Sequence, residues 1–409
     1  MNQSKLNAVV ETFKLDKSTW KVKRFGDVAI QQKKSVDRVK TDLTRYVKGE
    51  HMGSEDIHLR EWGELTDEYL GPAFIRYFEE GDILYGSRRT YLKKVVVAPF
   101  EGITSNTTFV IKANESKIDK RLLPYIMLSD DFTDHSIKNS KGSVNPYINW
   151  KDLANYEFLL PPKEEQAKIA ELLWAMDEVI ERENQLLETL NNSKSAYSSN
   201  LFRGNLTNER NKIGNLLTAW KHTKLSNHAI IKGRIGWRGL KQSEYVENGP
   251  YLIAGKHITE GQIEWNLCDK ITEGRYQESL EIALQEGDVI FSKDGAIGNP
   301  ALVREMPGKA TINSTMMLIR PNNTLNSDYF FQIMKSVYFE RLKYRCLSGS
   351  AIPHIFQGDM KNFEFPLPPL KEQIRIGEIL KTFDDKGNET KNKISSSHSL
   401  QKSLINQVF

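Results

Sequence analysis

The stretch FLLPPKEEQAKIAELL, from Phe158 to Leu173, recurs in diverged form as FPLPPLKEQIRIGEIL, from Phe365 to Leu380. The match extends upstream to Lys141 and Ser348 without a gap, so two long segments of the chain share one pattern at a constant offset of 207 residues. A fixed period is the sequence signature of a duplicated structural unit. The chain is therefore predicted to contain two copies of a unit of about 200 residues.

Each copy has two parts that meet at the double proline. The first part mixes short apolar runs, such as KKVVVAPF, GDVIFS and TMMLIRP, with Gly, Asn and Pro, which is typical of strands separated by turns in an α+β domain. The second part begins after Pro161-Pro162 and Pro368-Pro369, where proline suits the first turn of a helix.

Apolar residues follow each double proline at alternating spacings of four and three. One stripe begins at Ile169 and continues through Leu173 and Met176, and the equivalent stripe begins at Ile376. A helix of about 40 residues is about 60 Å long, which is too long to be buried against one small domain. We expect the two helices to cover one another as an antiparallel intramolecular coiled coil, with the two globular heads related by a pseudo-twofold axis. The alternative is that each helix packs on its own head.

The predicted fold class is therefore α+β, with two similar heads separated by two long helices. The predicted segments are 1–160 for the first head with the N-terminal segment, 161–204 for the first helix, 205–366 for the second head and 367–409 for the second helix.

Composition limits the function classes. The 409 residues contain 39% hydrophobic residues and no apolar run near the roughly 18 residues that cross a bilayer, so no membrane partner is expected and a cytoplasmic location is predicted. Cys268 and Cys346 are the two cysteines, too few for a disulfide framework or a cysteine-rich zinc site. The net charge of +4 permits a polyanionic partner without requiring one.

Catalytic motifs are missing from the sequence. It contains no G-x-x-x-x-G-K-[ST] phosphate loop and no H-E-x-x-H zinc motif. Asn145-Pro146-Tyr147 lacks the second proline of the Asn-Pro-Pro-Tyr loop that holds a flipped adenine, and its repeat partner, Ile352-Pro353-His354, has no amide. A shared turn explains both tripeptides better than catalysis, and the chain is predicted to be non-catalytic, with no cofactor of its own.

The whole chain resembles the specificity subunit of type I restriction-modification systems. The resemblance lies in two diverged heads, each followed by L-P-P-x-x-E-Q-x-x-I and a long helix. It implies that each head is a target recognition domain for one half of a bipartite site in double-stranded DNA, and that the helices set the spacer and dock two methyltransferase subunits, with two optional motor-nuclease subunits. S-adenosylmethionine, ATP and Mg are then expected on the partner subunits.

In the first head, GSRRTYLKK at 86–94 is the main candidate for DNA contact, because arginine and lysine bind base edges and phosphates. The alternative interpretation of this segment is a solvent-exposed basic loop without a DNA contact. The predicted DNA-contacting residues of this head are Arg88, Arg89, Tyr91 and Lys93, with Lys33 and Lys34 as weaker candidates.

In the second head, IKGRIGWRGLKQSEY at 231–245 concentrates basic residues around glycines that let backbone approach a phosphate. Lys256 is a lesser candidate, whose first-head counterpart is sought among Lys33, Lys34 and Arg38. The predicted DNA-contacting residues of this head are Lys232, Arg234, Trp237, Arg238, Lys241, Lys256 and Lys293, although a tryptophan such as Trp237 is as often part of a core.

Glu165, Gln166, Glu372 and Gln373 are predicted to lie near methyltransferase docking surfaces, with capping of the helix start as the alternative. Two other functions remain open at this stage. One is a recognition subunit for a combined cleavage-methylation enzyme, and the other is a two-headed scaffold that binds protein.

Overall fold

A computed structural model of the chain describes residues 15–37, 40–66, 70–207, 220–233, 240–347 and 353–409. The predicted DNA-contacting residues Arg234, Trp237 and Arg238 lie outside these ranges. The chain divides into two compact units, of which the first comprises Met1–Gln185 with Lys391–Phe409 and the second comprises Leu186–Thr390.

The first unit contains two four-stranded sheets and one two-stranded sheet. Its strands are β1 (Lys21–Arg24), β2 (Ala29–Gln32), β3 (Arg45–Val47), β4 (Gly63–Glu64), β5 (Phe74–Phe78), β6 (Ile83–Gly86), β7 (Val95–Val97), β8 (Gly102–Ser105), β9 (Thr108–Ala113) and β10 (Glu157–Leu160). The strand orders are β2-β9-β6-β7, β4-β3-β8-β5 and β1-β10. Its short helices are Phe25–Val28, Leu123–Leu128, Asp130–Lys138 and Trp150–Ala154.

The second unit is built in the same way, except that its described residues form three strands in one sheet where the first unit has four, and add a two-stranded hairpin. Its strands are β11 (Lys221–Lys224), β12 (Ala229–Lys232), β13 (Tyr251–Ile253), β14 (Ile258–Thr259), β15 (Gln262–Ile263), β16 (Asp269–Lys270), β17 (Val289–Ser292), β18 (Gly298–Leu302), β19 (Ala310–Ile312), β20 (Met316–Pro321) and β21 (Glu364–Leu367). The strand orders are β12-β20-β17-β18, β16-β13-β19, β11-β21 and β14-β15. Its short helices are Glu273–Gln277, Ser327–Met334, Val337–Leu347 and Gln357–Lys361.

The pairing of equivalent strands confirms the duplication. Lys21 lies opposite Leu160 in the first unit, and Lys221 lies opposite Leu367 in the second. β3 pairs in parallel with β8, and β13 does so with β19, whereas the neighbouring four-stranded sheets are antiparallel in both units.

The aspartate before β6 and β17 also has the same role in both units. Asp82 Oδ2 accepts a hydrogen bond from Glu79 N, and Asp288 Oδ2 accepts one from Gln285 N, both at 2.8 Å. The glycine before each aspartate has a positive φ, near 85° at Gly81 and 89° at Gly287, which favours glycine over other residues. The Gly-Asp signal in the sequence therefore marks one tight turn, made twice.

Two long helices follow the double prolines, as predicted. The first spans Lys163–Thr207 and the second spans Leu370–Val408, so each contributes residues to both compact units. Within the described parts of the chain, neither of these helices nor any shorter one is both long and apolar enough to cross a membrane.

Inside each unit the two long helices pack antiparallel. In the first unit, Leu173 and Met176 share a core with Leu404 and Val408, and Gln401 Nε2 donates to Leu173 O over 3.4 Å. In the second unit, Lys194 Nζ donates to Asp384 Oδ1 over 2.5 Å. The Tyr197 and Phe383 rings lie 6.5 Å apart, and Leu187 lies against Gly387. As the residue number increases along the first long helix, the number of the contacting residue on the second long helix decreases, as expected for antiparallel helices.

The far end of each helix is buried in the core of the other head's unit. Phe202, near the end of the first helix, is 1% exposed, and its ring lies 6.3 Å from Tyr329 and 6.4 Å from Tyr338. Phe409, 207 residues later, lies in the core that also contains Phe132 of the first head. The repeated pattern therefore encodes two helices, and the end of each helps to form the hydrophobic core of the head that precedes the other helix.

A half-buried ion pair interrupts the apolar stripe in the second unit. Lys194 and Asp384 have side chains 19% and 25% exposed, and Gln332 Nε2 also donates to Asp384. Burial, with the nearby Lys335 charge, lowers the pKa of Lys194. Burial disfavours the Asp384 carboxylate, but Lys335 and Lys194 outweigh that effect and lower its pKa. Removing Asp384 would leave the half-buried Lys194 ammonium without this partner, whereas Asp384 would keep Lys335, 3.4 Å away, if Lys194 were removed.

The repeated Glu-Gln pair belongs to the junction between head and helix. Gln166 Oε1 accepts from Asp119 N over 2.7 Å, and its Nε2 donates to Pro161 O over 2.9 Å. Gln373 makes the equivalent bonds to Asn326 N and Pro368 O, at 2.8 and 2.9 Å. Each glutamine thus joins the helix start to its own head.

These contacts correct the docking prediction for two of its four residues. Gln166 and Gln373 are both 1% exposed, and their amides are already bonded to backbone, so they offer no polar atom to a partner. Glu165 Oε2 accepts from Trp20 Nε1 over 2.7 Å, and Glu372 lies 3.7 Å from Arg375. The two glutamates remain half-buried at the junction.

Replacing Gln166 with leucine should destabilise the first unit by about 1–3 kcal/mol, because the Asp119 N–H and the Pro161 carbonyl lose their buried partner. Gln373→Leu should have a similar effect on the second unit. Denaturant unfolding of the full chain measures both, with Lys168→Leu on the exposed face of the same helix as the control. Equal stability of Gln166→Leu and the control would contradict the assigned role.

Candidate nucleic-acid interface

The two basic segments predicted in the first head leave one sheet at the end where β2 and β6 terminate. We call this end of the sheet the exit edge. β2 and β6 both pair antiparallel with β9, so they run in the same direction. Lys33 and Lys34 follow β2 directly, and Arg88 and Arg89 follow β6 after Ser87. The structure therefore brings together residues that are more than 50 positions apart in the sequence.

The segment after β6 is held by backbone contacts that leave its side chains outside. Arg88 forms an isolated β-bridge with Tyr147, and Arg89 N donates to Pro146 O over 2.7 Å. Both arginine side chains are exposed, and no acidic partner is found for either among the described residues. Tyr91 is 53% exposed. Two guanidinium groups and one aromatic ring are thus presented together, which suits contact with phosphates and bases.

The side chain of Lys93 points into the head, unlike those of Arg88 and Arg89. Its side chain is 9% exposed, and its Nζ donates to Leu128 O over 3.1 Å and pairs with Asp130. That hydrogen bond from Lys93 lowers the pKa of Asp130. The predicted DNA contact of Lys93 does not fit this position, because its ammonium is enclosed and already paired. Its backbone is left-handed, with φ near 47°, as is that of Arg89, whose side chain stays exposed.

Lys33 and Lys34 are exposed at the end of β2. Lys34 Nζ lies 4.0 Å from the centre of the Tyr77 ring, and Lys33 O accepts a hydrogen bond from Arg76 Nη1 over 2.7 Å. Arg76 therefore ties this segment to β5 and adds a third cation close to the two lysines.

The second head has the same exit edge. β12 and β17 both pair antiparallel with β20, so Lys232 and Lys293 lie where the two strands end. A Cβ on Gly233 would lie 3.6 Å from Lys293 Cε, which places the segment after β12 against Lys293. Lys232 and Lys241 are exposed, and Lys241 N donates to Glu244 Oε2 over 2.8 Å.

The matched loop after β17 is neutralised internally. Asp294 forms a β-bridge with His354 in the way that Arg88 does with Tyr147, so an acid replaces an arginine at the equivalent position. Lys293 is 12% exposed and pairs with Asp294 over 2.7 Å. Burial would raise the pKa of Asp294, but the hydrogen bonds from Lys293 and His354 outweigh it and lower that pKa. At equivalent positions, the first head therefore presents an exposed arginine and the second head an aspartate that is paired internally.

Lys256 lies on a turn that the sequence prediction matched to the wrong part of the first head. The turn follows β13, which is equivalent to β3 because each is the strand that pairs in parallel within its sheet. The first-head counterpart of Lys256 is therefore Glu50, and not Lys33, Lys34 or Arg38, of which Arg38 lies outside the described residues. The missed signal is Gly-x-His after a short apolar strand, as KGEH at 48–51 and AGKH at 254–257.

In the described part of the chain, no group of three or more His, Cys, Asp or Glu side chains is placed to hold a metal ion. The two exit edges offer lysine and arginine side chains and, in the first head, the Tyr91 hydroxyl. These groups donate hydrogen bonds to phosphates and base edges.

Comparison with known proteins identifies the family of both halves of the chain. The model of the type I restriction modification DNA specificity domain matches residues 17–192 and 235–397, one match in each half of the chain. The type I restriction enzyme MjaVIII specificity subunit of Methanocaldococcus jannaschii is 24% identical over 375 residues, which cover 84% of each chain. The EcoDI specificity subunit of Escherichia coli is 37% identical over 194 residues, 46% of this chain and 43% of that one.

A solved structure shares the fold over nearly its full length. The type I restriction-modification S subunit from M. genitalium aligns with 97% of this chain and 98% of its own, with a TM-score of 0.65 and 17% identity. The two curated relatives are named as specificity subunits, which is the role predicted from the sequence. With matched heads, matched long helices and a family match in each half, the chain belongs to the type I restriction-modification DNA specificity family.

Proposed function

We propose that each head of this specificity subunit reads one half of a bipartite DNA target through its exit edge. The observation that carries the proposal is the same sheet edge built twice, with Arg88 in one head replaced by Asp294 in the other. One frame with different charges suits two readers of different sequences, because base edges are distinguished by their donors and acceptors.

The test is binding of the full chain, with and without its methyltransferase subunits, to duplexes selected from a random pool. Binding should yield a split motif and weaken as salt rises, because cationic side chains that neutralise phosphates release counterions. Selection of one contiguous motif would contradict two half-site readers. No selection at low salt, in either condition, would favour the protein-binding scaffold.

The finer partner assignments are part of the same proposal. Two methyltransferase subunits per chain, carrying S-adenosylmethionine, would dock on exposed helix faces near the two head junctions, and motor-nuclease subunits using ATP and Mg would be optional. The repeated junction supports two equivalent docking positions, since Gln166 and Gln373 make the same contacts. Co-purification with a methyltransferase in a ratio of two per chain tests this stoichiometry, and a ratio of one would contradict it.

The spacer in the target is proposed to follow helix length. Removing residues 182–188 and 389–395 takes two turns from each helix at equivalent positions. Seven residues correspond to about 10 Å of helix, or about three base pairs of DNA. The selected motif should keep both half-sites and lose about three base pairs of spacer. An unchanged spacer in a folded deletion variant would contradict the ruler role.

A further inference from the structure

We propose that Glu50 and Lys256 are base-reading residues, one in each head, held by a turn that the duplication has preserved. The inference rests on the proposed function and adds a specificity position that is equivalent in the two halves. Each residue stands between a glycine and a histidine, in the turn that follows an interior strand of its sheet, β3 or β13.

The histidine closes the same turn in both heads. Lys48 N donates to His51 Nδ1 over 3.1 Å, and Ala254 N donates to His257 Nδ1 over 3.1 Å. The return bonds, His51 N to Lys48 O and His257 N to Ala254 O, are 3.1 and 2.9 Å. An imidazole that accepts at Nδ1 fixes the backbone of the two residues between, so the intervening side chain has a defined starting point.

A side chain from the neighbouring sheet holds the glycine carbonyl in both heads. Lys94 Nζ donates to Gly49 O, and Asn299 Nδ2 reaches Gly255 O over 3.5 Å while donating to Ile258 O over 3.0 Å. Lys94 immediately precedes β7 and Asn299 lies at the start of β18, which are equivalent strands. The residue types differ and the contact is kept, which indicates that the position of the turn matters in both halves.

This turn lies at the exit edge of each head. A Cβ on Gly255 would lie 2.4 Å from Ser292 Oγ, so the turn lies tightly against the end of β17 and a larger residue there would displace the serine side chain. In the first head, Gly86 N, at the end of β6, donates to Lys94 O over 3.0 Å. The same Lys94 holds Gly49. The turn therefore stands beside the start of the segment that carries Arg88 and Arg89, and beside Lys293 in the second head.

The two intervening side chains point into solvent and carry opposite charges. Glu50 is 71% exposed and lies 3.5 Å from Lys48 Nζ, and Lys256 is 64% exposed and lies 2.9 Å from Asp269. Exposed pairs of this kind are weak and can open for a ligand. A carboxylate accepts from the cytosine N4 amino group, whereas an ammonium donates to guanine O6 and N7. The same frame would thus read different bases in the two half-sites.

The test compares motifs selected from randomised duplexes by the full chain with its methyltransferase subunits. Glu50→Gln should change the preference at a position in one half-site, and Lys256→Gln should change the other half-site. Both changes should move toward adenine, which glutamine recognises through N6 and N7, with roughly a tenfold loss of preference for the original base. Glu64→Gln and Lys309→Gln are matched controls, because both residues lie at the opposite end of β3 and β13.

The outcomes separate this inference from the proposed function. A split motif for the wild-type chain that neither Glu50→Gln nor Lys256→Gln alters would overturn the inference and leave the two half-site readers standing. A motif changed equally by the controls would also overturn it. Failure of the wild-type chain to select a split motif would remove the proposed function itself.

Discussion

Replacement of Phe202 by alanine is expected to destabilise the second unit by about 3–5 kcal/mol, which is typical of removing a buried phenylalanine from a core. Phe202 is 1% exposed and lies between Tyr329 and Tyr338, and Tyr338 Oη donates to Phe202 O over 3.2 Å. A cavity there is bounded by two helices of the second head and by the first long helix itself. These elements have few ways to close it, so the cost should fall in the upper part of that range.

Hydrogen exchange localises this effect. Faster exchange is expected in helices Ser327–Met334 and Val337–Leu347, with little change in the first unit. Leu186→Ala, at a residue 46% exposed on the same helix, serves as the control. Phe409→Ala should affect the first unit in the same way but less, because Phe409 is 8% exposed. Equal exchange in the Phe202 variant and the control would show that the helix end does not complete the core of the second head.

The double replacement Arg88→Ala with Arg89→Ala is expected to weaken binding to the selected duplex by about 2–4 kcal/mol, or roughly 30- to 1000-fold. Both guanidinium groups are exposed beside Tyr91, and no acidic side chain among the described residues competes for them. Fluorescence anisotropy at two salt concentrations separates their roles. Loss of a phosphate contact reduces the salt dependence, whereas loss of a base contact relaxes the sequence preference.

A charge-matched control for this pair is available in the same head. The double variant Lys117→Ala with Lys120→Ala also removes two positive charges. These lysines are exposed next to the head–helix junction, away from the exit edge. That variant should bind within about threefold of the wild-type chain, as expected for a weak long-range effect screened by salt. Equal losses for the two double variants would indicate that only net charge matters and would contradict a defined reading loop.

The repeat and the long helices could be predicted because they depend on periodicity. A constant offset and a 4-3 spacing survive divergence of individual residues, and the prediction of two antiparallel helices is confirmed inside each unit. The polar positions in the stripe had no such explanation in the sequence. Lys194 is paired there with Asp384, which lies 190 residues away in the sequence. Local spacing cannot reveal such a pair.

The direction of individual side chains could not be predicted. Lys93 belongs to a basic run but turns inward, where its ammonium is held by Leu128 O and the Asp130 carboxylate. Gln166 and Gln373 were predicted to lie near a docking surface because they stand on the helices at the head junctions. They recur because each satisfies a backbone N–H of its own head. Repetition thus identified structurally important residues without showing whether the reason was a partner or the fold.

The counterpart of Lys256 was missed for a related reason. Sequence comparison aligned the heads at their longest identities, and the short turn at 48–51 shares only glycine and histidine with 254–257. Strand pairing resolves the equivalence, since β3 and β13 have the same neighbours. Loops that read DNA diverge most, so their alignment depends on the strands that hold them.

Exchange of one head tests the central claim most directly. Residues 20–160 would be replaced by the corresponding head of another specificity subunit, and the motif would be read from methylated sites in a host that carries the complete complex. With the two heads acting as separate readers on one shared helical frame, one half-site should change completely while the other half-site and the spacer stay the same. A change in both half-sites, or in neither, would contradict that claim.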